Sequence, residues 1–288
     1  MDDKPLPITV TIVAKNEADR LPLALKSVAG WVQRVIVVDS GSTDGTQQIA
    51  QDLGAEVVFN QWNGANPQKC FAQGLAETDW VMMIDADEEV SPQLKAEIAA
   101  AIAEDPLGAD AYRFPLLAVY NFQKKLRPIT VHRYPIKLYR KSKGGFRAER
   151  DPYYDTAEMQ PDARIDKLRG MLNHYSFRSL YDHVDKANWS SENQAANLYK
   201  RGKKPGLLVL FITPPLAFFK QFILRKECLN GIDGVIVSYM FAFQRFIRLA
   251  KSRERFQGGP WGPHAKLGMK EGEQDPTVGI ASRGDEKE

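Results

Sequence analysis

Two cysteines, Cys70 and Cys228, occur in 288 residues. They lie far apart and in no metal-ligand spacing, which argues against a disulfide framework or a zinc site and makes a reducing compartment the default. The opening stretch MDDKPLPITV has neither the basic n-region nor the apolar h-region of a signal peptide, so the protein is expected to stay where it is made. The glycines spell neither G-x-G-x-x-G nor G-x-x-x-x-G-K-[ST], so neither a dinucleotide fingerprint nor a P-loop is indicated. Internal repeats are absent. With 43% hydrophobic and 26% charged residues, the chain is neither disordered throughout nor a polytopic membrane protein.

Charge of one sign is scarce at each end. Residues 1–99 carry 15 acids against 7 bases, a net of −8, and residues 200–270 carry 3 acids against 14 bases, a net of +11. An acidic front and a basic back argue for two jobs on two surfaces. The first hundred residues alternate strand and helix patterns: ITVTIVA, RVIVVDS, EVVFN and DWVMMIDADEE as strands, with helical spacing between them. That alternation predicts a parallel α/β sheet, and continuous apolar strands fit burial on both faces. Ligands in such sheets bind outside the strands' carboxyl ends. VAKNE, VDSGSTDGT and DADEE follow three strands and should meet at one crevice, although each read alone fits a solvated loop equally well.

Within DADEE, Asp85 and Asp87 at alternate positions can lean toward one centre, where Mg²⁺ or Mn²⁺ would relieve their repulsion. Glu88 and Glu89 read as the start of the next helix, with Ser91-Pro92 as cap and first turn. Asp39 ends the second strand, too early to cap a helix, and suits a base imide or ribose hydroxyl. Asp44 suits a cap. From about 110 to 190, AYRFPLLAVYNFQ and PIKLYRK read as extended segments, followed by a loop-like stretch and then a helix over 180–200.

TIVAKNEADRLPLALKSV, VIVVDSGSTDGT and DWVMMIDADEE, in that order and spacing, resemble glycosyltransferase family 2, and within it the lipopolysaccharide core β-glucosyltransferase group. The resemblance is strong over residues 8–98, weaker through AYRFP, KLYRK and LNHYSF, and ends near 256. It implies a GT-A fold (a Rossmann-like, mostly parallel sheet flanked by helices), a nucleotide-sugar donor and inversion at the anomeric carbon. By position, Ala14, Asn16 and Glu17 would lie at the nucleotide end of the first strand, and Asp39 would hold uracil or ribose. Gln68 and Lys69 would line the donor cleft, and Asp85 and Asp87 would form the metal motif facing the diphosphate. Related sequences commonly carry His-Glu or His-Asp after the KLYRK-like strand. Here that place reads DPYYDTAEM, with Tyr154 for the His. Asp155 is the first candidate for the base that takes the acceptor proton and Asp151 the second, with Glu149 nearby. Arg140, Arg147 and Arg150 are candidate diphosphate partners, and His174 a candidate aid to the leaving group.

In the basic back, KRGKKPGLLVLFITPPLAFFKQFILRK sets bases on both sides of a thirteen-residue apolar run, shorter than the roughly 20 residues that span a bilayer. It reads as a surface-lying segment for anionic headgroups, the alternative being core helices. No nucleic-acid motif accompanies it, and no nucleic-acid partner is expected. The expected organisation is a nucleotide-sugar half (1–110), an acceptor half (111–195), a membrane-associating helical region (196–256) and a flexible tail (257–288). The expected partners are a UDP-sugar, UDP-glucose first, and a lipid-linked saccharide at the cytoplasmic face of the inner membrane. The competing reading is a nucleotide-sugar-binding partner without catalysis.

Overall fold

The computed structural model describes residues 4–103, 108–120, 124–149 and 155–258. Arg150, Asp151, Tyr154 and the tail from 259 onward lie outside the described residues. The chain divides into two compact units, residues 1–177 and 178–288.

The first unit opens as the sequence pattern predicts. Strand β1 (Leu6–Ala14), helix α1 (Leu21–Val28), β2 (Val32–Asp39), α2 (Thr46–Asp52), β3 (Glu56–Phe59), α3 (Ala65–Gly74) and β4 (Trp80–Asp85) alternate in order. They are followed by β5 (Glu88–Val90), α4 (Pro92–Ala103), β6 (Ala111–Arg113), β7 (Leu116–Tyr120), β8 (Lys124–Lys125) and β9 (Ile136–Arg140). Short strands β10 (Gly144–Gly145), β11 (Glu158–Met159), β12 (Ile165–Lys167) and β13 (Leu172–His174) complete the unit.

The main sheet has seven strands in the order β12-β6-β9-β4-β1-β2-β3. The β1–β2, β1–β4, β2–β3 and β6–β12 pairs are parallel, while β9 runs antiparallel to both β4 and β6. The architecture is therefore an α/β Rossmann-like fold with a mixed sheet. Ile8, Val10, Ile12, Ile36, Val38 and residues 81–84 are fully buried, as strands covered on both faces require. Helix α1 carries Pro22 in its first turn and turns Leu21, Leu25 and Val28 into the core at helical spacing. A second sheet runs β5-β13-β7-β8.

Glu88 and Glu89 do not begin the next helix. They form β5, antiparallel to β13, and α4 starts at Pro92, with the Ser91 hydroxyl accepting from the Leu94 amide at 3.2 Å. The Ser-Pro cap signal is real, but it acts three residues later than a helix opened by the glutamates would need.

In the second unit, α5 (Leu180–Lys200), α6 (Leu207–Phe219) and α7 (Ile232–Phe256) are joined by one π turn over Lys220–Leu224 and a short 3₁₀ turn. Ser179 caps α5 by accepting from the Asp182 amide at 3.2 Å. The expected border at 195/196 falls inside α5. That helix looks polar in sequence, but its small residues Ala187, Ser191 and Ala195 are buried. Ser190 and Asn188 hydrogen-bond Gln244 and Lys251 of α7.

Helix α6 has no buried residue. Pro214 and Pro215 lie inside it, and each lacks the N–H of an i→i−4 bond. The helix nevertheless continues through the π turn, so the apolar segment is 18 residues, Leu207–Leu224, rather than thirteen. By length and composition it is the one helix among the described residues able to cross a membrane.

Candidate active site

The loops after β1 and β2 are stitched together. Asn16, at φ 54° in the left-handed region, which asparagine tolerates better than most side chains, accepts from the Thr43 amide at 2.9 Å. Its own amide donates to Ser42 Oγ at 2.8 Å. The Glu17 amide donates to Thr46 Oγ1 at 2.8 Å, and the Ala14 carbonyl accepts from the Ser40 amide at 3.1 Å.

Asp39 is fully buried. Its Oδ1 accepts from the Gly41 and Ser42 amides, both at 2.9 Å, and from Gln47 Nε2 at 2.6 Å. Its Oδ2 accepts from the Ser42 hydroxyl. The four bonds brace the GSTDGT turn. Asp44 accepts from the Thr46 and Ala18 amides, both at 3.1 Å. Gln68 is likewise buried, tying Ser40 to Asn60 at 3.0 and 2.7 Å.

At the end of β4 the acids do separate work. The Asp87 carboxylate lies 3.2 Å from Arg20 Nη1 and 3.5 Å from His174 Nε2. Arg20 is buried, also donates to Glu17 at 2.5 and 2.6 Å, and donates to the Tyr175 carbonyl at 3.0 Å. Burial alone would lower the His174 pKa, but Asp87 beside it raises it above the usual histidine range.

Asp85 instead faces a second set. Its oxygens lie 2.8 Å from Lys69 Nζ and 3.1 Å from Lys137 Nζ. Asp155, arriving from a loop 70 residues further on, pairs with the same two lysines, at 2.9 Å to Lys137 and in close contact with Lys69. Glu88 completes the group at 2.7 Å from Lys137, and accepts from the Asp85 amide at 2.9 Å. The contacts thus bring Lys69, Asp85 and Asp155 together, while Asp87 is held by Arg20 and His174 rather than leaning with Asp85 on one centre.

Lys137 is 0% exposed and Lys69 5%. A buried ammonium survives only when paired, because losing its hydration is expensive. For both lysines burial favours the neutral form, but the surrounding carboxylates win and raise the pKa, strongly at Lys137. For Asp155 burial pushes up, and Lys137 and Lys69 overrule it, holding the carboxyl well below the usual range. Burial pushes the Glu88 carboxyl up, against the pull of Lys137, to about 7.

Asp85, Glu88 and Asp155 place one oxygen each within 4.8 Å of one another. An oxygen-only donor set suits a hard divalent cation. With Glu88 ionised, three carboxylates against two ammoniums leave one excess negative charge, and the oxygen donors fit a divalent ion chemically. Lys137, Arg20 and Glu88 were missed as organising residues. The signal for Lys137 was a lone lysine inside IKLY, a strand too apolar to leave it unpaired.

Of the arginines proposed for diphosphate, Arg140 and Arg147 sit elsewhere. Arg140 pairs with Trp80 at the start of β4, opposite the Asp85 end, and stacks on that ring at 4.5 Å. Arg147 is exposed, 3.5 Å from Glu158.

An acidic strand-end cluster interlocked with buried lysines, at the carboxyl edge of a Rossmann-like sheet, defines a ligand-binding α/β protein with a candidate cation centre. The family model "Glycosyl transferase family 2" matches residues 9–155, and the chain belongs to that family. It is 39% identical over 253 residues to an uncharacterized glycosyltransferase of Rickettsia felis, covering 86% of this chain and 89% of that protein. It is 27% identical over 259 residues to the lipopolysaccharide core biosynthesis glycosyltransferase LpsC of Rhizobium meliloti, covering 87% and 93%. Among solved structures, the mannosyltransferase of Pyrobaculum calidifontis in complex with GDP-Man and Mn²⁺ matches with TM-score 0.49 and 13% identity, covering 89% and 90%. Family membership and the acidic cluster together support a metal-dependent glycosyltransferase.

Proposed function

We propose that the protein is an inverting transferase of GT-A type. It moves a sugar, glucose as the first expectation, from a UDP-sugar to a lipid-linked saccharide of the cell envelope. The observation that carries this reading is the meeting of Asp85, at the end of β4, with Asp155 from a distant loop across two buried lysines. Asp85 with Asp87, or with Glu88 and Asp155, would hold a Mg²⁺ or Mn²⁺ ion, which when bound offsets the charge of the donor diphosphate. Lys69, with its ammonium between Asp85 and Asp155, lines the donor side. Ala14, Asn16, Glu17, Asp39 and Gln68 shape the nucleotide end, Asp39 and Gln68 by bracing the loops.

In the transfer, the acceptor hydroxyl oxygen bonds to the anomeric carbon. The bond from that carbon to the diphosphate oxygen breaks, and the diphosphate leaves with the electron pair. The hydroxyl proton passes to a carboxylate, for which Asp155 is the first choice and Asp151 the second. Lys69 and Lys137 keep Asp155 ionised, ready to accept, although the same pairing weakens it as a base. That weakness, with Tyr154 at the usual histidine position, is what favours the second reading, a nucleotide-sugar-binding partner without turnover.

The lipopolysaccharide-core assignment rests on the name of the Rhizobium relative. A lipid-linked acceptor and a peripheral position at the cytoplasmic face of the inner membrane are supported by the exposed apolar α6 and its flanking bases. An apolar cleft of about 480 Å³, lined by Pro214, Pro215, Phe218, Tyr239, Phe243 and Phe246 among others, lies in the same unit.

A thermal-shift panel of nucleotide sugars with and without Mn²⁺ tests the reading, because a ligand of the folded state raises its melting temperature. A UDP-sugar shift that needs Mn²⁺, and is lost in Asp85→Asn, is expected. No shift with any nucleotide sugar would contradict it. Running Asp87→Ala beside it separates the two metal assignments.

A further inference from the structure

The second unit holds another concentration of charge, built without ion pairs among the described residues. Arg225 closes the π turn, and Arg245 and Arg248 lie one turn apart on α7. The guanidinium carbons of Arg225 and Arg245 sit 5.5 and 4.7 Å from the centroid of the Phe241 ring, so both pack on one aromatic side chain. Arg225 Nη1 donates to Gln221 Oε1 at 2.9 Å. Arg248 Nη1 donates to Gln194 Oε1 at 3.3 Å, and its Nε is buried with no hydrogen-bond partner among the described residues.

Among the described residues no carboxylate forms an ion pair with Arg225, Arg245 or Arg248. Glu227 is the acid that acts on Arg225, but it is itself buried and already accepts from Gln221 at 3.3 Å and Asn230 at 2.7 Å. Burial lowers the pKa of all three arginines. Arg225 lowers Arg245 further, and Arg245 lowers Arg248, to about 10. Further along α7 the same fold balances its cations: Glu192 meets both Lys251 and Arg255. No such carboxylate serves the three arginines among the described residues. Half-buried like charges without a counter-ion cost stability, and planar guanidinium forks match phosphate oxygens two by two.

We propose that Arg225, Arg245 and Arg248 form an anion site that takes a phosphate or diphosphate group. The proposal stands apart from the transferase reading, because it uses none of the residues of the strand-end cluster. The phosphate can come free in solution or on a lipid headgroup, and both present the same oxygens to the three forks.

The test uses the full-length protein. Binding of inorganic pyrophosphate is followed by its melting temperature and by calorimetry, for wild type, Arg245→Gln, Arg248→Gln and the charge-keeping Arg245→Lys. Wild type should bind, and each Gln variant should weaken at least one binding component tenfold or more. Arg245→Lys should fall between them, which also answers any Gln variant that fails to fold. Without ligand, Arg245→Gln should melt no lower than wild type, since it removes an unbalanced charge. A parallel arm measures sedimentation with phosphatidylcholine vesicles with and without phosphatidic acid. Loss of pyrophosphate binding alone assigns the site to a soluble phosphate, and loss of phosphatidic-acid-dependent sedimentation assigns it to a headgroup. Variants that keep wild-type affinity in both arms would overturn the proposal.

Discussion

Lys137 and Arg245 are both cations withdrawn from water, one in each unit. Lys137 meets Asp85, Glu88 and Asp155 within 3.1 Å, whereas Arg245 meets the Phe241 ring and the field of another arginine. The first cluster is complete in itself, apart from one excess negative charge. The second has one nearby acid, the buried Glu227 acting on Arg225, against three cations. A buried charge network whose members are paired can hold its geometry before any ligand arrives, which is what a transfer site needs. An unbalanced one gains most from a ligand of opposite sign.

The sharpest way to break this contrast is to remove one cation from each cluster. Lys137→Met should cost about 3–5 kcal/mol, the usual penalty for leaving buried carboxylates without their partner. Arg245→Gln should be neutral or gain up to about 1 kcal/mol, because no partner is orphaned. Urea unfolding of both variants checks the sign as well as the size. Equal losses would mean that Arg245 is balanced after all.

A smaller effect is expected at the basic segment before α6. Reversing the charges of Lys200, Arg201, Lys203 and Lys204 should weaken binding to anionic vesicles by about 1 kcal/mol per base, and added salt should imitate it. Vesicle sedimentation that ignores both changes would leave α6 as a helix awaiting protein rather than lipid.

The smallest effect sharpens the comparison from a third side. His183 is half-buried near the start of α5, and that burial lowers its pKa to about 4. Unlike arginine, it escapes the cost by losing its proton. Since the folded pKa lies below the unfolded value of about 6.5, its contribution is full above pH 6.5 and is lost as pH falls toward 4. On the order of 2 kcal/mol of stability should disappear across that window, and His183→Gln should flatten the slope in a pH series of unfolding free energies.

Much of the first unit was legible in the sequence, because VIVV and VMMI announce buried strands and a parallel sheet forces their ends to one edge. Asp85, Lys69 and Asp155 were each singled out, and they do meet. What could not be read was how charges pair across long separations. Arg20 reaches Asp87 and the Tyr175 carbonyl, and Lys137 reaches Glu88 and Asp85, contacts that no local pattern encodes. Glu88 was misread because a Ser-Pro cap stood close behind it. Asp39 and Gln68 carry the polarity of ligand contacts but spend their hydrogen bonds on neighbouring loops. In the second unit, the π turn after Pro214-Pro215 lengthened an apolar segment that seemed to end at Phe219.

The central claim is that the Asp85–Asp155 cluster carries out sugar transfer, and the transfer rate measured beside donor affinity tests it most directly. Purified wild type, Asp85→Asn and Asp155→Asn are assayed for UDP release from a UDP-sugar with Mn²⁺ and with a chelator, after unfolding curves have established that each variant is folded. Asp85→Asn should lose the metal-dependent part of donor binding. Asp155→Asn should lower turnover by about 10²–10⁴-fold, the usual cost of losing a general base, with donor binding kept where Asp85 and Asp87 hold the ion and weakened where Asp155 is one of its ligands. Near-normal, chelator-resistant turnover in both folded variants would contradict the account and move the chemistry away from this strand end.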